Sequence, residues 1–133
     1  MSDIVSIIAK AEDSLENAAY NLKGSFYSAT VNRCYYGLYY CLIALLVTKN
    51  VSPKSHKGAH IKFNELFVLT GLFPKDMTTI LAATFNQRQI GDYDIDAEIN
   101  YEEAFETLEK SRGFIEAVIK YLRNNGFLNE VKK

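Results

Sequence analysis

The stretch from residue 34 to residue 48, CYYGLYYCLIALLVT, carries no charge and decides the fold. It belongs to a longer segment, residues 26–49, that is apolar on almost every side. A helix without a polar face lies in the middle of a bundle or in an oligomer interface. The uncharged run is shorter than the roughly 20 residues of a membrane span, and it contains four tyrosines. We therefore predict a core helix rather than a membrane helix.

Helical spacing of apolar residues continues on both sides of this core helix. Before it, apolar residues from Ile4 to Leu22 recur at intervals of four and three, which is typical of a helix with one face toward a core. After it, similar spacing covers Ala59 to Leu69, about Lys75 to Ile90, and Tyr101 to about Arg123. No segment alternates as a strand does. The sequence predicts an all-α protein of five helices, with residues 1–133 forming a single domain.

The breaks between the helices carry turn and capping residues. We expect Ser25 to cap the core helix, and the segment NVSPKSHKG at residues 50–58 to form a loop. Gly91 is expected to end the fourth helix. Asn100 and Glu103 have the spacing of a capping box at the start of the last helix.

Charge and cysteine content narrow the classes of function. The formal net charge is -1, so no long-range field attracts the whole protein to nucleic acid or to anionic lipid. Cys34 and Cys41 are two helical turns apart, roughly 10 Å, which is too far for a disulfide. We expect both to be buried thiols in a reducing compartment. Because the first ten residues, MSDIVSIIAK, lack the features of a signal peptide, we expect a cytoplasmic protein.

Four short motifs follow one another from the core helix onward. They are Asn32-Arg33-x-Tyr35-Tyr36, Lys54-x-His56-x-Gly58, Gly71-Leu72-x-Pro74 and Arg88-x-x-x-Asp92-Tyr93. In this order and at these spacings the chain resembles the HEPN family, in particular its short single-domain prokaryotic branch. The resemblance is dense over residues 25–96. It implies an antiparallel bundle of four to five helices that forms a homodimer.

The resemblance also implies two kinds of function. HEPN proteins are often encoded beside a minimal nucleotidyltransferase, with which they form a toxin–antitoxin pair. Many members are metal-independent ribonucleases whose signature is an arginine followed, after four to six residues, by a histidine, with the site composed across the dimer. Others have lost that chemistry and bind nucleotides or partner proteins. Neither kind calls for a cofactor or a metal ion.

Arg88 stands where this signature has its arginine, but residues 89–94, QIGDYD, include no histidine. RNA cleavage without a metal requires a base, an acid and a cation for the charge that develops on phosphorus. Arg88 fits the cation role, whereas Tyr93, with an ordinary pKa of roughly 10, is a poor proton shuttle near neutral pH. One hypothesis is that His56 enters the same cleft from another element, because imidazole titrates in the useful range.

The missing histidine favours a degenerate site in a dimeric module that binds a nucleotide or a partner protein. Its candidate nucleotide or phosphate ligands are Arg33, Tyr36, Arg88 and Asp92. The alternative is a metal-independent toxin ribonuclease that acts on RNA through Arg88, Tyr93 and His56.

Several of these residues also have structural interpretations. Arg88 and Asp92 have the i, i+4 spacing of an ordinary surface ion pair, worth a few tenths of a kcal/mol. A charge such as Arg33 on the apolar helix needs a partner, and an acid such as Asp92 is as suitable as a phosphate. The tyrosines of the core helix can stack on bases, but their spacing over two helix faces favours a core and a dimer interface.

Two metal-binding interpretations are also open. His56 and His60 are four residues apart, a spacing that presents two imidazoles to zinc on a helix, but only two ligands are supplied. The acids from Asp92 to Glu103 match an EF-hand loop except at Ala97, where the sharp turn requires glycine. We therefore expect no metal site.

Overall fold

The structure is a computed structural model that describes residues 3–93 and 98–129. Over these residues the chain forms five α-helices and no strand. The helices are α1 (Ile4–Lys23), α2 (Tyr27–Val47), α3 (His56–Phe63), α4 (Asp76–Tyr93) and α5 (Tyr101–Asn124). A π-helical segment, Asn64–Val68, continues α3. The prediction of an all-α helical bundle is confirmed.

α2 lies at the centre of the bundle and packs against α1, α3, α4 and α5. Its side chains are buried on every side. Nine of its apolar residues are fully buried: Val31, Cys34, Tyr35, Leu38, Cys41, Leu42, Ala44, Leu45 and Leu46. Since burying one leucine contributes about 1.5–3 kcal/mol, this helix supplies much of the apolar stabilisation. The described helices include none that is both long and apolar enough to cross a membrane.

A glycine allows two helices to approach α2 closely. A Cβ atom on Gly37 would lie 3.1 Å from Cδ1 of Ile115 in α5 and 3.4 Å from the backbone oxygen of Ala11 in α1. Both distances are at or below ordinary van der Waals contact. Gly37 therefore sits where three helix backbones converge.

The two cysteines belong to different parts of the core. Cys41 lies in the main apolar cluster, whereas Cys34 packs with Ala18 and Leu108 in a smaller cluster between α1, α2 and α5. Both are fully buried free thiols, as expected from the sequence. Burial raises the pKa of the Cys34 thiol to about 12, so it stays protonated at neutral pH.

Two helix boundaries differ from the prediction for a local reason. Ser25 has a left-handed backbone with φ 66°, and Phe26 is the residue that precedes α2, so the prediction that Ser25 caps this helix is wrong. The predicted loop at residues 50–58 ends earlier than expected. Ser55 caps α3 by accepting a 2.9 Å hydrogen bond from the backbone N–H of Gly58, so His56 is the first helical residue.

The third difference has a tertiary cause. Gly91 does not end α4, which continues to Tyr93. A Cβ atom at Gly91 would lie 2.9 Å from Cδ1 of Ile99 and 3.3 Å from Oγ of Ser28. The glycine thus permits close packing instead of a turn. The predicted capping box of α5 is confirmed, since Asn100 and Glu103 each accept a hydrogen bond from the backbone N–H of the other.

Candidate functional site

The candidate site lies where α3 and α4 meet the first half of α2. Adjacent rings of Tyr35 and Tyr36 on α2, with centroids 5.5 Å apart, are its centre. We call it the three-helix cluster, and it contains Asn32, Arg33, Tyr35 and Tyr36 of α2, His56 and His60 of α3, and Arg88 and Asp92 of α4. The aromatic pair gives charged and titratable groups from two other helices a common, largely apolar support.

Arg88 enters the three-helix cluster from α4. Its guanidinium carbon lies 5.5 Å from the ring centroid of Tyr35 and 5.3 Å from that of Tyr36, and its Nη2 donates a 3.2 Å hydrogen bond to the Tyr36 hydroxyl. The side chain is only 13% exposed. Cation–π attraction of this kind is worth about 0.5–2 kcal/mol and grows with desolvation. Arg88 is therefore held in a defined orientation against the rings.

The predicted pair between Arg88 and Asp92 is present, but it is partly buried. Nε of Arg88 lies 3.2 Å from a carboxylate oxygen of Asp92, whose side chain is 26% exposed. Among the described residues Nε makes no hydrogen bond, so the attraction to Asp92 is one of charge. This nitrogen is itself buried, so it is not accessible to a ligand from solvent.

Arg33 is connected to the rest of the three-helix cluster by hydrogen bonds to Asn32 and not by an ion pair with Asp92. Its Nε and Nη2 donate to Oδ1 of Asn32 at 3.0 and 2.7 Å, and Nδ2 of Asn32 donates to Asp92 at 3.1 Å. The Arg33 guanidinium carbon lies 5.1 Å from the Tyr36 ring centroid. Arg33 and Arg88 therefore meet at the same ring, with Asn32 linking Arg33 to the carboxylate.

The two histidines of α3 share one hydroxyl. Nδ1 of His56 lies 2.8 Å from the Tyr35 hydroxyl oxygen, and Nε2 of His60 lies 2.9 Å from it. The His56 ring also stacks on Tyr39, with centroids 4.1 Å apart. Burial lowers the pKa of both imidazoles, with a further lowering of the His56 pKa by Arg88 and of the His60 pKa by His56. Both rings are therefore mainly neutral at neutral pH.

The structure brings together most of the site residues that the sequence suggests. Four of them lie together in the three-helix cluster: Arg33, Tyr36, Arg88 and Asp92. The centroid of the His56 ring lies 5.6 Å from that of Tyr35 and 6.1 Å from that of Tyr36. Tyr93 is different. It is 74% exposed and, five residues after Arg88, lies about 140° around the helix from it. Tyr93 thus belongs to another face of α4.

Sequence reasoning missed Tyr35 and His60 as parts of the site. Tyr35 was interpreted as core or interface, and the His56 and His60 spacing as a weak metal signal. The i, i+4 histidines did indicate a shared target on one helix face, but only the packing of α3 on α2 identifies that target as a hydroxyl. In the described part of the chain, no three His, Cys, Asp or Glu side chains gather closely enough to hold a metal ion.

The acidic stretch after α4 is only partly described. Asp92 is attracted to Arg88, and the Glu103 carboxylate accepts from the Asn100 backbone. Asp94, Asp96 and Ala97, the third, fifth and sixth positions of the EF-hand interpretation, lie outside the described residues. The two described acids at the ends of that stretch each have a partner within the protein.

An open groove adjoins the three-helix cluster on its α3 side. It runs between α3 and α4, with a volume of about 850 Å³, and His60 contributes to its wall. Ile61 and Leu81 make its lining largely apolar, and its one charged lining residue among those described is Glu65. Arg33 and Arg88 do not line this groove.

The fold and this cluster define a small helical domain that combines an arginine, paired tyrosines and histidines at a junction of three helices. The HEPN domain profile matches residues 4–124, and the chain belongs to the HEPN family. The resemblance stated from the motifs is thereby confirmed.

Several named relatives extend over most of the chain. It is 36% identical, over 95% of its length and 86% of the relative, to the Methanocaldococcus jannaschii protein named "Putative toxin MJ0142". A second protein of that organism, "Putative toxin MJ0605", is 31% identical over 91% of the chain and 90% of its own length. A Thermotoga maritima "UPF0332 protein" is 33% identical over 86% and 87%. The relatives thus include proteins named as toxins.

Proposed function

We propose that this chain is the HEPN component of a toxin–antitoxin pair with a minimal nucleotidyltransferase. In this proposal it acts in the cytoplasm as a homodimer, and its three-helix cluster binds a phosphate-bearing ligand, a nucleotide or an RNA. Two relatives named as toxins support the toxin class. The family resemblance suggests the dimer and the nucleotidyltransferase partner.

One observation carries the binding proposal. Arg33 and Arg88 both lie about the Tyr36 ring, at 5.1 and 5.3 Å, while Asp92 is the one carboxylate within the cluster. With the histidines neutral, the described members of the cluster carry one positive charge more than negative. A guanidinium presents its donors in a planar fork that matches phosphate oxygens, and Arg33 and Arg88 place two such groups at one tyrosine ring. The overall charge of -1 does not oppose such a local patch.

Binding of a labelled oligoribonucleotide and of a labelled nucleoside triphosphate tests this proposal. Arg33→Gln and Arg88→Gln are expected to weaken binding by about tenfold each and to reduce its salt dependence. Arg112→Gln is the matched control, because Arg112 lies on α5 in an exposed pair with Glu109 and is expected to change nothing. Equal weakening by all three variants, or none by the first two, would contradict the assignment.

The dimer and the partner require their own measurements. Light scattering coupled to size-exclusion chromatography is expected to give twice the mass of 15.1 kDa for the purified chain. Co-expression with a minimal nucleotidyltransferase encoded beside it is expected to yield a complex that survives purification. A monomer that fails to associate with that protein would overturn this part of the proposal.

A second function, metal-independent RNA cleavage, is favoured by the position of His56. Its mainly neutral imidazole shares the tyrosine pair with Arg88, and its Nδ1 faces Tyr35, which leaves Nε2 for a substrate. In this function His56 is the base and Arg88 stabilises the charge on phosphorus, while Tyr93, on another face of α4, takes no part within the same subunit. His56 thus supplies the histidine that is missing from residues 89–94.

Incubation with total RNA and tRNA in EDTA tests this second function. Cleavage by the wild type is expected to disappear in Arg88→Ala and in His56→Ala, and to persist in Tyr93→Phe, because Tyr93 lies on another face of α4. Intact RNA with a folded wild-type protein would exclude it. Cleavage that persists in His56→Ala would remove His56 from the mechanism.

A further inference from the structure

The Tyr35 hydroxyl imposes a rule on the two histidines beside it. Both distances, 2.8 Å to Nδ1 of His56 and 2.9 Å to Nε2 of His60, are hydrogen-bond lengths. A hydroxyl has one proton to donate, so it donates to one nitrogen and accepts from the other. One imidazole must therefore carry a proton on the nitrogen that faces Tyr35, and the other must not. The tautomers of the two rings are complementary.

We propose that His56, Tyr35 and His60 form a proton relay, in which the Tyr35 hydroxyl transfers a proton between Nδ1 of His56 and Nε2 of His60. Tyr35 and His60 are then positioning residues that act through His56. The existence of the relay is independent of any reaction. Its use in catalysis rests on the second function proposed above, RNA cleavage.

In the resting state, the nitrogen of His56 that faces away from Tyr35 must be unprotonated so that it can act as the base. Nδ1–H of His56 donates to the Tyr35 oxygen, and the Tyr35 O–H donates to Nε2 of His60. His56 Nε2 then has a lone pair, and His60 carries its proton on Nδ1. Burial raises the pKa of Tyr35 well above its ordinary value, so the hydroxyl stays neutral and conducts protons without becoming a phenolate.

The relay balances through a complete reaction. When the 2′-oxygen attacks phosphorus, Nε2 of His56 takes its proton, the Nδ1 proton moves to Tyr35, and the tyrosine proton moves to Nε2 of His60. His56 is then neutral with a proton on Nε2, and the positive charge is on His60. As the phosphorus–oxygen bond to the leaving group breaks, that oxygen takes the Nε2 proton. The two inner protons return, which restores the resting state.

The groups around the relay disfavour a positive charge on either imidazole. From α4, Arg88 faces His56 and lowers its pKa, while Asp92 is attracted to Arg88. From α2, the rings of Tyr36 and Tyr39 lie beside His56, with centroids 6.1 and 4.1 Å from that of the imidazole. His60 instead packs against the apolar ring of Phe85, and its pKa is lowered by burial and by His56. Burial opposes a positive charge on both imidazoles and Arg88 opposes it further on His56, so the charge on His60 is short-lived and the pair accepts one proton before a second.

Nitrogen-15 correlation spectra of the histidine side chains test the relay without any substrate. At neutral pH we expect His56 to carry its proton on Nδ1 and His60 to carry its proton on Nδ1. In His60→Ala the Tyr35 hydroxyl loses that acceptor and donates to His56, so His56 is expected to switch its proton to Nε2. A wild type in which both Tyr35-facing nitrogens are alike, or an unchanged His56 tautomer in His60→Ala, would overturn the proposal.

Two tyrosine variants provide the matched comparison. Tyr35→Phe keeps the ring and removes the hydroxyl, so the tautomer of each histidine is expected to become independent of the other. Tyr39→Phe removes a hydroxyl from the ring that stacks on His56 and is expected to leave both tautomers as in the wild type. Identical changes in both variants would contradict a specific role for Tyr35.

The experiment separates failure of the relay from failure of the proposed function. Complementary tautomers together with intact RNA would support the relay and exclude nuclease activity. RNA cleavage whose pH–rate profile is the same in Tyr35→Phe as in the wild type would exclude the relay from the mechanism. A profile shifted in Tyr35→Phe and in His60→Ala, but not in Tyr39→Phe, would support both.

Discussion

Arg88 binds Tyr36 in two ways at once, with its guanidinium carbon 5.3 Å from the ring centroid and its Nη2 donating to the hydroxyl at 3.2 Å. The ring attracts the cation, and the hydroxyl fixes the direction of one donor. Because the two residues are 52 positions apart, this contact also holds α4 against α2.

Tyr36→Phe measures the contribution of the hydroxyl to stability separately from that of the ring. It removes one hydrogen bond to a charged donor and keeps the cation–π contact, so the free energy of unfolding is expected to fall by about 1–2 kcal/mol. Tyr36→Leu removes both and is expected to cost more. Urea denaturation measures the difference, with Tyr20→Phe as the control because Tyr20 is 77% exposed. Equal stability of the Phe variant and the wild type would show that the hydrogen bond contributes nothing.

Asp92→Asn is expected to change ligand affinity and protein stability in opposite directions. Removal of the carboxylate leaves Arg88 without its charge partner, so stability is expected to fall by about 1 kcal/mol, discounted for partial exposure. Affinity for a phosphate-bearing ligand is expected to rise, because a competing intramolecular anion is lost. Glu109→Gln, which breaks the exposed pair with Arg112, is the control and is expected to do neither. Weaker binding by Asp92→Asn would show that Asp92 contacts the ligand favourably.

Stability is expected to fall as the pH drops through the histidine range. The folded-state pKa values of His56 and His60 are lowered, so between them and the unfolded value of about 6.5 the unfolded chain binds more protons. The stabilising contribution is thus complete above the unfolded pKa and is lost as pH falls through the folded pKa. Urea midpoints at pH 7 and about pH 5 measure this. The double variant His56→Gln/His60→Gln is expected to show a smaller decrease, and an equal decrease would assign the effect to other groups.

Two glycine-to-alanine changes are expected to have opposite signs. Gly113 lies on the exposed side of α5, and a Cβ there meets nothing within 4 Å, so Gly113→Ala is expected to stabilise by about 0.5–1 kcal/mol. Gly37→Ala has the same helical benefit but presses on Ile115 and on the backbone of Ala11, and overpacking of this kind costs about 1–3 kcal/mol. Thermal unfolding of the two variants compares them. Stabilisation by Gly37→Ala would show that α1 and α5 can move apart at no cost.

The helices themselves could be predicted because their apolar residues repeat at helical intervals. Ile8, Ala11 and Ala18 face the core in α1, and the absence of a polar face on α2 predicts its central position. The capping box of α5 was also visible, since both of its residues lie within one turn. The features that could be predicted are therefore those that depend on residues close together in the sequence.

What could not be predicted depends on contacts between distant residues. Gly91 lies inside α4, and Ser28 and Ile99 pack into the space left by its missing side chain, although neither lies beside it in the sequence. The hydrogen bond from Asn32 to Asp92 joins residues 60 positions apart. The hydrogen bond between Tyr35 and His60 joins residues 25 positions apart. The periodicity of the sequence does not show which face of another helix each residue packs against. The composition of the three-helix cluster is therefore a property of the packing.

The two buried thiols make the protein its own reporter of unfolding. Cys34 lies in the small cluster and Cys41 in the main one, and neither is accessible while the bundle is closed. A thiol-reactive reagent can therefore modify each only during an opening of its own region. Equal labelling rates would mean that the bundle opens as one unit, whereas faster modification of Cys34 would identify the contact of α1 with α5 as the part that opens first. The chain thus carries a probe in each of its apolar clusters without any engineered substitution.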